Sequence, residues 1–181
     1  VNGFGFLFVA GFTAANKLYG VLEMASLSYG YAITTYVGQN LGAKKYRRIR
    51  NGVRSGVYMA LITSIVISGV MVITGRNILS LFVSGEAGQV KQVLDIAYKY
   101  LFIMAIFLWV LYLLYVYRSA IQGLGNTLIP LASGVVEFCM RVGVALLLPK
   151  LIGEDGIFYA EISAWSGAAI LLIVSYVVII R

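Results

Sequence analysis

Long apolar runs separated by short polar segments dominate the hydropathy pattern of this 181-residue chain. Four runs contain no charged residue, and each is close to the roughly 20 residues that a helix needs to cross a bilayer. A fifth run is as long but carries Glu137 and Arg141. The pattern therefore predicts an all-α integral membrane helical bundle with about five complete transmembrane helices. The predicted spans cover residues 6–39, 52–75, 95–117, 128–148 and 158–180.

The composition agrees with lipid as the surrounding medium. Apolar residues make up 61% of the chain and charged residues 12%, whereas soluble domains average roughly 45–50% and about 25%. The single cysteine, Cys139, excludes a disulfide within the chain, and the absence of histidine argues against a zinc site. We find no combination of nucleophile, base and orienting group. We therefore expect no catalytic residues, no metal site and no enzyme activity.

A basic segment at residues 44–54, which we expect to be a loop, follows the first predicted span and fixes the expected orientation. It holds six of the fourteen basic residues, and such a cluster marks the cytoplasmic side of a membrane protein. It also explains most of the net charge of +7, so we expect no nucleic-acid partner. The predicted location is the plasma (inner) membrane, crossed several times. The acids expected on the outer side are Glu86, Asp95, Glu154, Asp155 and Glu161.

An odd number of spans places Val1 outside while Arg181 lies inside. Because the chain begins with valine and shows no signal peptide, we interpret it as a fragment with further helices upstream of Val1.

Glu23 lies within the first predicted helix, on a face of polar and small residues. At about 100° per residue, Asn16 and Thr34 share this face and Tyr19 lies beside it. An unpaired carboxylate at mid-bilayer costs about 2.5–3.5 kcal/mol on insertion scales, so it should face water, a partner or a proton. We predict an ion or substrate pathway along these four residues, with Glu23 as a protonatable or cation-binding group. The alternative is that Glu23 is an interfacial acid near the outer end of its span.

Glu137 and Arg141 are four residues apart in the fourth predicted span. A glutamate that precedes an arginine at this spacing favours an ion pair along one helix face. Charged side chains inside a membrane usually pair with one another. We therefore predict a structural ion pair between these two residues, with a role in gating as the alternative.

An aromatic stripe runs along the third predicted span. Tyr98, Phe102, Trp109 and Tyr112 lie within about 40° of a common line on a helix. Such a stripe can line a cavity and hold organic cations through cation–π contacts, so Trp109 and Tyr112 are further candidates for the pathway. The alternative is a packing or lipid-facing role, because the chain has 13 tyrosines and nine phenylalanines.

Three motifs resemble one transporter family. They are residues 37–43 (VGQNLGA) before the basic segment, residues 122–130 (QGLGNTLIP) between two spans, and residues 134–141 with Glu137 and Arg141. Because of these motifs, the chain resembles the C-terminal half of a multidrug and toxic compound extrusion (MATE) transporter. The resemblance implies a two-lobe, inverted-V architecture in which residues 1–181 form the C-terminal lobe.

The resemblance also implies a function. Such proteins perform secondary active efflux of organic cations or amphiphilic drugs by antiport coupled to H⁺ or Na⁺, so no cofactor is expected beyond the coupling ion. The expected partners are the lipid bilayer, the small-molecule drug and the missing N-terminal lobe. Alternating access requires a second lobe or repeat, so we expect the isolated chain to be inactive.

The resemblance places the coupling acids of such transporters in the N-terminal lobe or in the seventh and tenth helices, depending on the subfamily. We expect this chain to lack that lobe and the seventh helix, and its presumed tenth helix offers only Asp95, near its outer start, so no coupling acid is transferred to it. Two rival functions stay open. One is a lipid-linked oligosaccharide flippase of the same superfamily, which needs several basic residues in its cavity, whereas Arg141 is the one basic residue that we assign to the membrane interior. The other is a noncatalytic membrane subunit that packs against a partner.

Overall fold

The computed structural model describes residues 5–83 and 87–180, and within these residues every regular element is a helix. This confirms the all-α prediction. The expectations for Val1, Glu86 and Arg181 lie outside the described residues. The helices are α1 (Phe6–Gly42), α2 (Tyr46–Ser80), α3 (Ala87–Gly123), α4 (Leu128–Leu147), α5 (Pro149–Ile152) and α6 (Asp155–Ile180).

The first three helices are much longer than a bilayer core is thick. Helices α1 and α3 each have 37 residues, which at 1.5 Å per residue gives about 55 Å against a hydrocarbon core of roughly 30 Å. By length and composition, four stretches of the described chain can cross a membrane: α2, α3, α4 together with α5, and α6. Helix α1 is not among them, since polar residues such as Asn16, Lys17 and Glu23 lower its hydropathy.

The basic segment is a tight helical hairpin rather than a loop. Only residues 43–45 separate α1 from α2, and Lys44 adopts a left-handed backbone conformation with φ of 57°. The basic residues from Arg47 to Arg54 therefore lie on the first turns of α2, where all four of their side chains are exposed. This corrects the sequence interpretation, which treated residues 44–54 as a loop.

Helix α3 forms the centre of the bundle. It packs against α1, α2 and α6, while α4 packs mainly against α6 and barely touches α3. The side chains that α3 buries almost completely include Tyr100, Leu101, Met104, Leu108, Tyr112 and Leu114. A central helix that is apolar on all sides is expected when its neighbours surround it.

Glycines allow α1 and α3 to approach closely. A Cβ atom on Gly123 would lie 2.9 Å from the backbone oxygen of Thr34 and 2.8 Å from Cβ of Val37. One turn away, a Cβ on Gly30 would lie 2.8 Å from Oγ of Ser119. Small residues permit such approaches between membrane helices. The contact fixes the register of α1 against α3 and thereby sets which polar side chains face each other.

The two ends of the bundle differ in how they are held. At the end where α2 finishes and α3 and α6 begin, Arg76 pairs with Asp95 at 2.7 Å and Lys99 pairs with Asp155 at 2.6 Å. The opposite end carries the α1–α2 turn, the α3–α4 turn and the end of α6, where Arg50 donates a hydrogen bond to the backbone oxygen of Ile180. The long helices thus alternate in direction along the chain: α1, α3 and α6 run from the ion-paired end to the basic end, and α2 and α4 run the opposite way.

Candidate functional site

A polar, half-open pocket of about 290 Å³ lies between α1, α3, α4 and α6. Three glutamates, two arginines and two tyrosines contribute to its wall, together with one leucine and one tryptophan. Charged residues are rare inside membrane helices and usually mark ion or substrate pathways, so this pocket is the leading candidate site. Its lining residues are Tyr19, Glu23, Leu111, Tyr115, Arg118, Glu137, Arg141, Glu161 and Trp165.

Two ion pairs across helices neutralise four of the five charges. Arg118 of α3 donates a hydrogen bond from Nη2 to Oε2 of Glu137 on α4 at 3.0 Å, and it also donates to Oγ of Ser133. Arg141 of α4 lies 2.7 Å from Oε2 of Glu161 on α6. Each pair joins two different helices, so α4 is connected to α3 on one side and to α6 on the other.

Glu23 is the remaining charge. Its Oε1 accepts a hydrogen bond of 2.7 Å from the hydroxyl of Tyr115, and within residues 5–83 and 87–180 its carboxylate forms no ion pair. Glu23 lies near the middle of α1. The pocket thus holds one more carboxylate than guanidinium groups, and it attracts cations.

An aromatic pair forms one wall of this pocket. The rings of Tyr19 and Trp165 are stacked, with their centroids 5.6 Å apart. The indole of Trp165 is almost fully buried. Aromatic faces attract cations, so the uncompensated charge of Glu23 and this ring pair favour the same kind of ligand.

The prediction that Glu137 and Arg141 pair with each other is wrong, because each of them pairs with a different residue. The two side chains lie on one helix at the right spacing, but Glu137 binds Arg118 and Arg141 binds Glu161. The pairs across helices also tie α4 to its neighbours, and the Arg118 pair is largely shielded from solvent. Both residues nevertheless line the pocket.

Only two of the four residues predicted to form a pathway along α1 lie in the same pocket. Tyr19 and Glu23 line the pocket, while Thr34 lines a neighbouring cavity and donates a hydrogen bond to the backbone oxygen of Ser119 at 3.3 Å. Asn16 lies outside both cavities and accepts a hydrogen bond from the hydroxyl of Tyr100.

The predicted aromatic stripe on α3 does not reach the pocket. Trp109 is 44% exposed on the bundle surface, whereas Tyr112 is completely buried beside Tyr29, with ring centroids 5.9 Å apart. Neither residue is among those lining the charged pocket. Their positions match the packing or lipid-facing alternative.

Sequence reasoning missed five of the residues that line the pocket: Leu111, Tyr115, Arg118, Glu161 and Trp165. The criterion of charge-free apolar runs ended the third predicted span at residue 117, and Glu161 was counted among the outer acids. In the structure, α3 continues to Gly123 and α6 begins at Asp155. The usable signal was helical spacing. Arg118 follows Tyr115 by three residues and Glu161 precedes Trp165 by four, so each charge shares a helix face with an aromatic pocket residue.

Comparison with known proteins agrees with this architecture. The family model described as MatE matches residues 1–147. The chain is also similar to the probable multidrug resistance protein YoeA of Bacillus subtilis (strain 168), with 26% identity over 162 residues. That match covers 90% of this chain and 30% of the relative, so the chain spans about a third of the relative's length. The matched family covers most of the sequence, and the chain belongs to the MatE family of multi-pass membrane transporters.

Proposed function

We propose that this chain forms part of an exporter that moves organic cations or amphiphilic drugs out of the cell in exchange for an inward flow of H⁺ or Na⁺. Within it, Glu23 is the coupling acid. The observation that carries this proposal is the carboxylate of Glu23, which lies in this pocket with one tyrosine hydroxyl and no ion-pair partner in the described chain. A proton or a cation can neutralise it there.

The pocket chemistry supports a cationic substrate. Its excess carboxylate attracts positive charge, and the half-buried ring of Tyr19, which stacks on the buried indole of Trp165, offers an aromatic surface. The name of the similar Bacillus protein refers to multidrug resistance. If one carboxylate binds either the coupling ion or the drug, the two compete, and this competition is the simplest form of antiport.

The proposal also includes the orientation of the chain in the membrane. The hairpin between α1 and α2 carries the exposed basic residues and is placed in the cytoplasm by the positive-inside rule. The turn between α3 and α4, residues 124–127, lies at the same end of the bundle and is therefore assigned to the cytoplasmic side as well.

A flippase for lipid-linked oligosaccharides is less well supported by the same pocket. Such a protein needs basic side chains that are free to hold a pyrophosphate. The pocket contains Arg118 and Arg141, one more arginine than the sequence suggested, but each is paired with a glutamate.

The test uses the full transporter that contains this chain, reconstituted in liposomes. The variant Glu23→Gln keeps the size and hydrogen-bonding capacity of the side chain but removes its charge. Efflux of ethidium is driven first by a pH gradient alone and then by a Na⁺ gradient alone, which identifies the coupling ion. We expect Glu23→Gln to abolish gradient-driven efflux.

The matched control is Glu154→Gln, which removes an exposed acid at the ion-paired end of the bundle. It should transport like the parent protein. Full gradient-driven efflux by Glu23→Gln would exclude Glu23 as the coupling acid. Failure of the parent to transport ethidium or other organic cations with either gradient would refute the proposed function itself.

A further inference from the structure

A groove of about 580 Å³ runs between the end of α3 and the first half of α4, at the basic end of the bundle. One wall consists of the apolar side chains of Leu131, Val135 and Phe138, all largely exposed. Arg118 and Gln122 of α3 form the opposite wall. The groove is therefore apolar along α4 and polar along α3.

Arg118 separates this groove from the charged pocket. It lines the groove, the pocket and the smaller cavity beside Thr34. Its partner Glu137 lines the pocket. Nη2 of Arg118 donates to Glu137 at 3.0 Å, and both Nε and Nη2 donate to Ser133. The groove and the pocket therefore meet at this ion pair and serine contact.

The two helices on either side of this ion pair have almost no other contact. Helix α4 packs on α6, with Gly167 of α6 closely facing Met140, but it barely touches α3. Breaking the bond between Arg118 and Glu137 therefore disturbs little apolar packing. The pair acts as a latch between α3 and α4.

We infer that the groove is the cytoplasmic binding vestibule for an organic cation with an apolar body, and that Arg118 is the gate to the pocket. The apolar part of the ligand lies on Leu131, Val135 and Phe138. Its positive charge replaces the guanidinium of Arg118 on Glu137, so the ion pair exchanges one cation for another. This inference rests on the proposed efflux function and adds an entrance and a gating residue to it.

The first test measures equilibrium binding of ethidium, an aromatic cation, to the full transporter in lipid nanodiscs by fluorescence. In Arg118→Gln the competing cation is absent. Because hydrogen bonds between charged groups are strong, we expect ethidium to bind about tenfold more tightly. In Glu137→Gln the acceptor charge is lost, and affinity should fall by about the same factor. The control is Arg54→Gln, which removes an exposed arginine near the same end and should bind like the parent.

The second test blocks the groove without touching a charge. Val135→Trp places a bulky ring in the groove, at a side chain that is 56% exposed, and should slow the association of ethidium. Leu146→Trp is the matched control, since Leu146 is similarly exposed on α4 but lies outside the groove.

Unchanged or weaker binding by Arg118→Gln would overturn the gate, and an unchanged association rate in Val135→Trp would overturn the vestibule. If Arg118→Gln fails to fold, the comparison of Val135→Trp with Leu146→Trp decides alone. The result of these binding tests can be distinguished from a failure of the proposed efflux function. Loss of coupling in Glu23→Gln concerns the pocket, whereas the Val135→Trp effect on association persists in a Glu23→Gln background.

Discussion

Substituting Gly123 by alanine should destabilise the bundle more than the same change at Gly30. Both glycines lie where α1 meets α3, but their neighbours differ. A Cβ on Gly123 would approach the backbone oxygen of Thr34 at 2.9 Å and Cβ of Val37 at 2.8 Å. A Cβ on Gly30 would meet only the hydroxyl oxygen of Ser119 at less than 3.0 Å, and its next neighbour is at 3.9 Å.

The magnitudes follow from what can move. The backbone oxygen of Thr34 is fixed within α1, so Gly123→Ala must push the helices apart, and overpacking of this kind costs about 1–3 kcal/mol. The hydroxyl of Ser119 can rotate away, so Gly30→Ala should cost less than about 1 kcal/mol, partly offset by the better helix propensity of alanine. Gly69 of α2 has no heavy atom within 4 Å of the added Cβ, and Gly69→Ala should stabilise the protein by about 0.5–1 kcal/mol.

The assay is equilibrium unfolding of the full transporter in mixed detergent micelles, followed by circular dichroism as the fraction of denaturing detergent rises. The expected order of stability is Gly69→Ala, parent, Gly30→Ala and then Gly123→Ala. Equal stability of the Gly123 and Gly30 variants would refute the reasoning, because it would mean that the fixed backbone oxygen does not limit how closely α1 and α3 approach.

Other predictions concern ion pairs and one turn. Arg141→Met leaves the carboxylate of Glu161 without its partner and should destabilise by about 1.5–3 kcal/mol, while the double variant Arg141→Met with Glu161→Gln should recover most of this loss in the same unfolding assay. Asp155→Asn removes the partner of Lys99 in an exposed pair and should change stability by less than about 1 kcal/mol, whether measured at low or high salt. Gly125 has φ of 84°, so Gly125→Ala should cost about 1–2 kcal/mol, seen as a lower temperature of thermal aggregation; a neutral result would show that the turn between α3 and α4 readily changes conformation.

The sequence was sufficient to predict the long helices and the membrane class. Apolar runs determine where helices form, because backbone hydrogen bonds must be satisfied within lipid. The same criterion failed at the helix ends. It stopped the third span before Arg118, although α3 continues to Gly123, and it counted Glu161 among the outer acids, although α6 begins at Asp155. A window that avoids charged residues removes the residues most relevant to an internal polar site.

The partners of charged residues could not be predicted from spacing. Glu137 and Arg141 satisfy the rule for pairs within a helix, but their actual partners depend on how α3 and α6 pack beside α4. Helix geometry did identify Tyr19 and Glu23 correctly as neighbours on one face, and both line the pocket. Tyr112 shows the limit of such an argument, since a helix face does not reveal whether it meets a cavity or another helix.

The unequal burial of the helices has a consequence for how this sequence can change. More than half of the most apolar stretch of α3 is buried inside the bundle, whereas hardly any of the corresponding stretch of α4 is. In a saturation mutagenesis screen scored by drug tolerance, α4 should accept exchanges among leucine, isoleucine, valine and phenylalanine at most outward positions. Helix α3 should reject most of them. The less tolerant sites on α4 should be those that touch α6, those that line the groove, and Glu137 and Arg141.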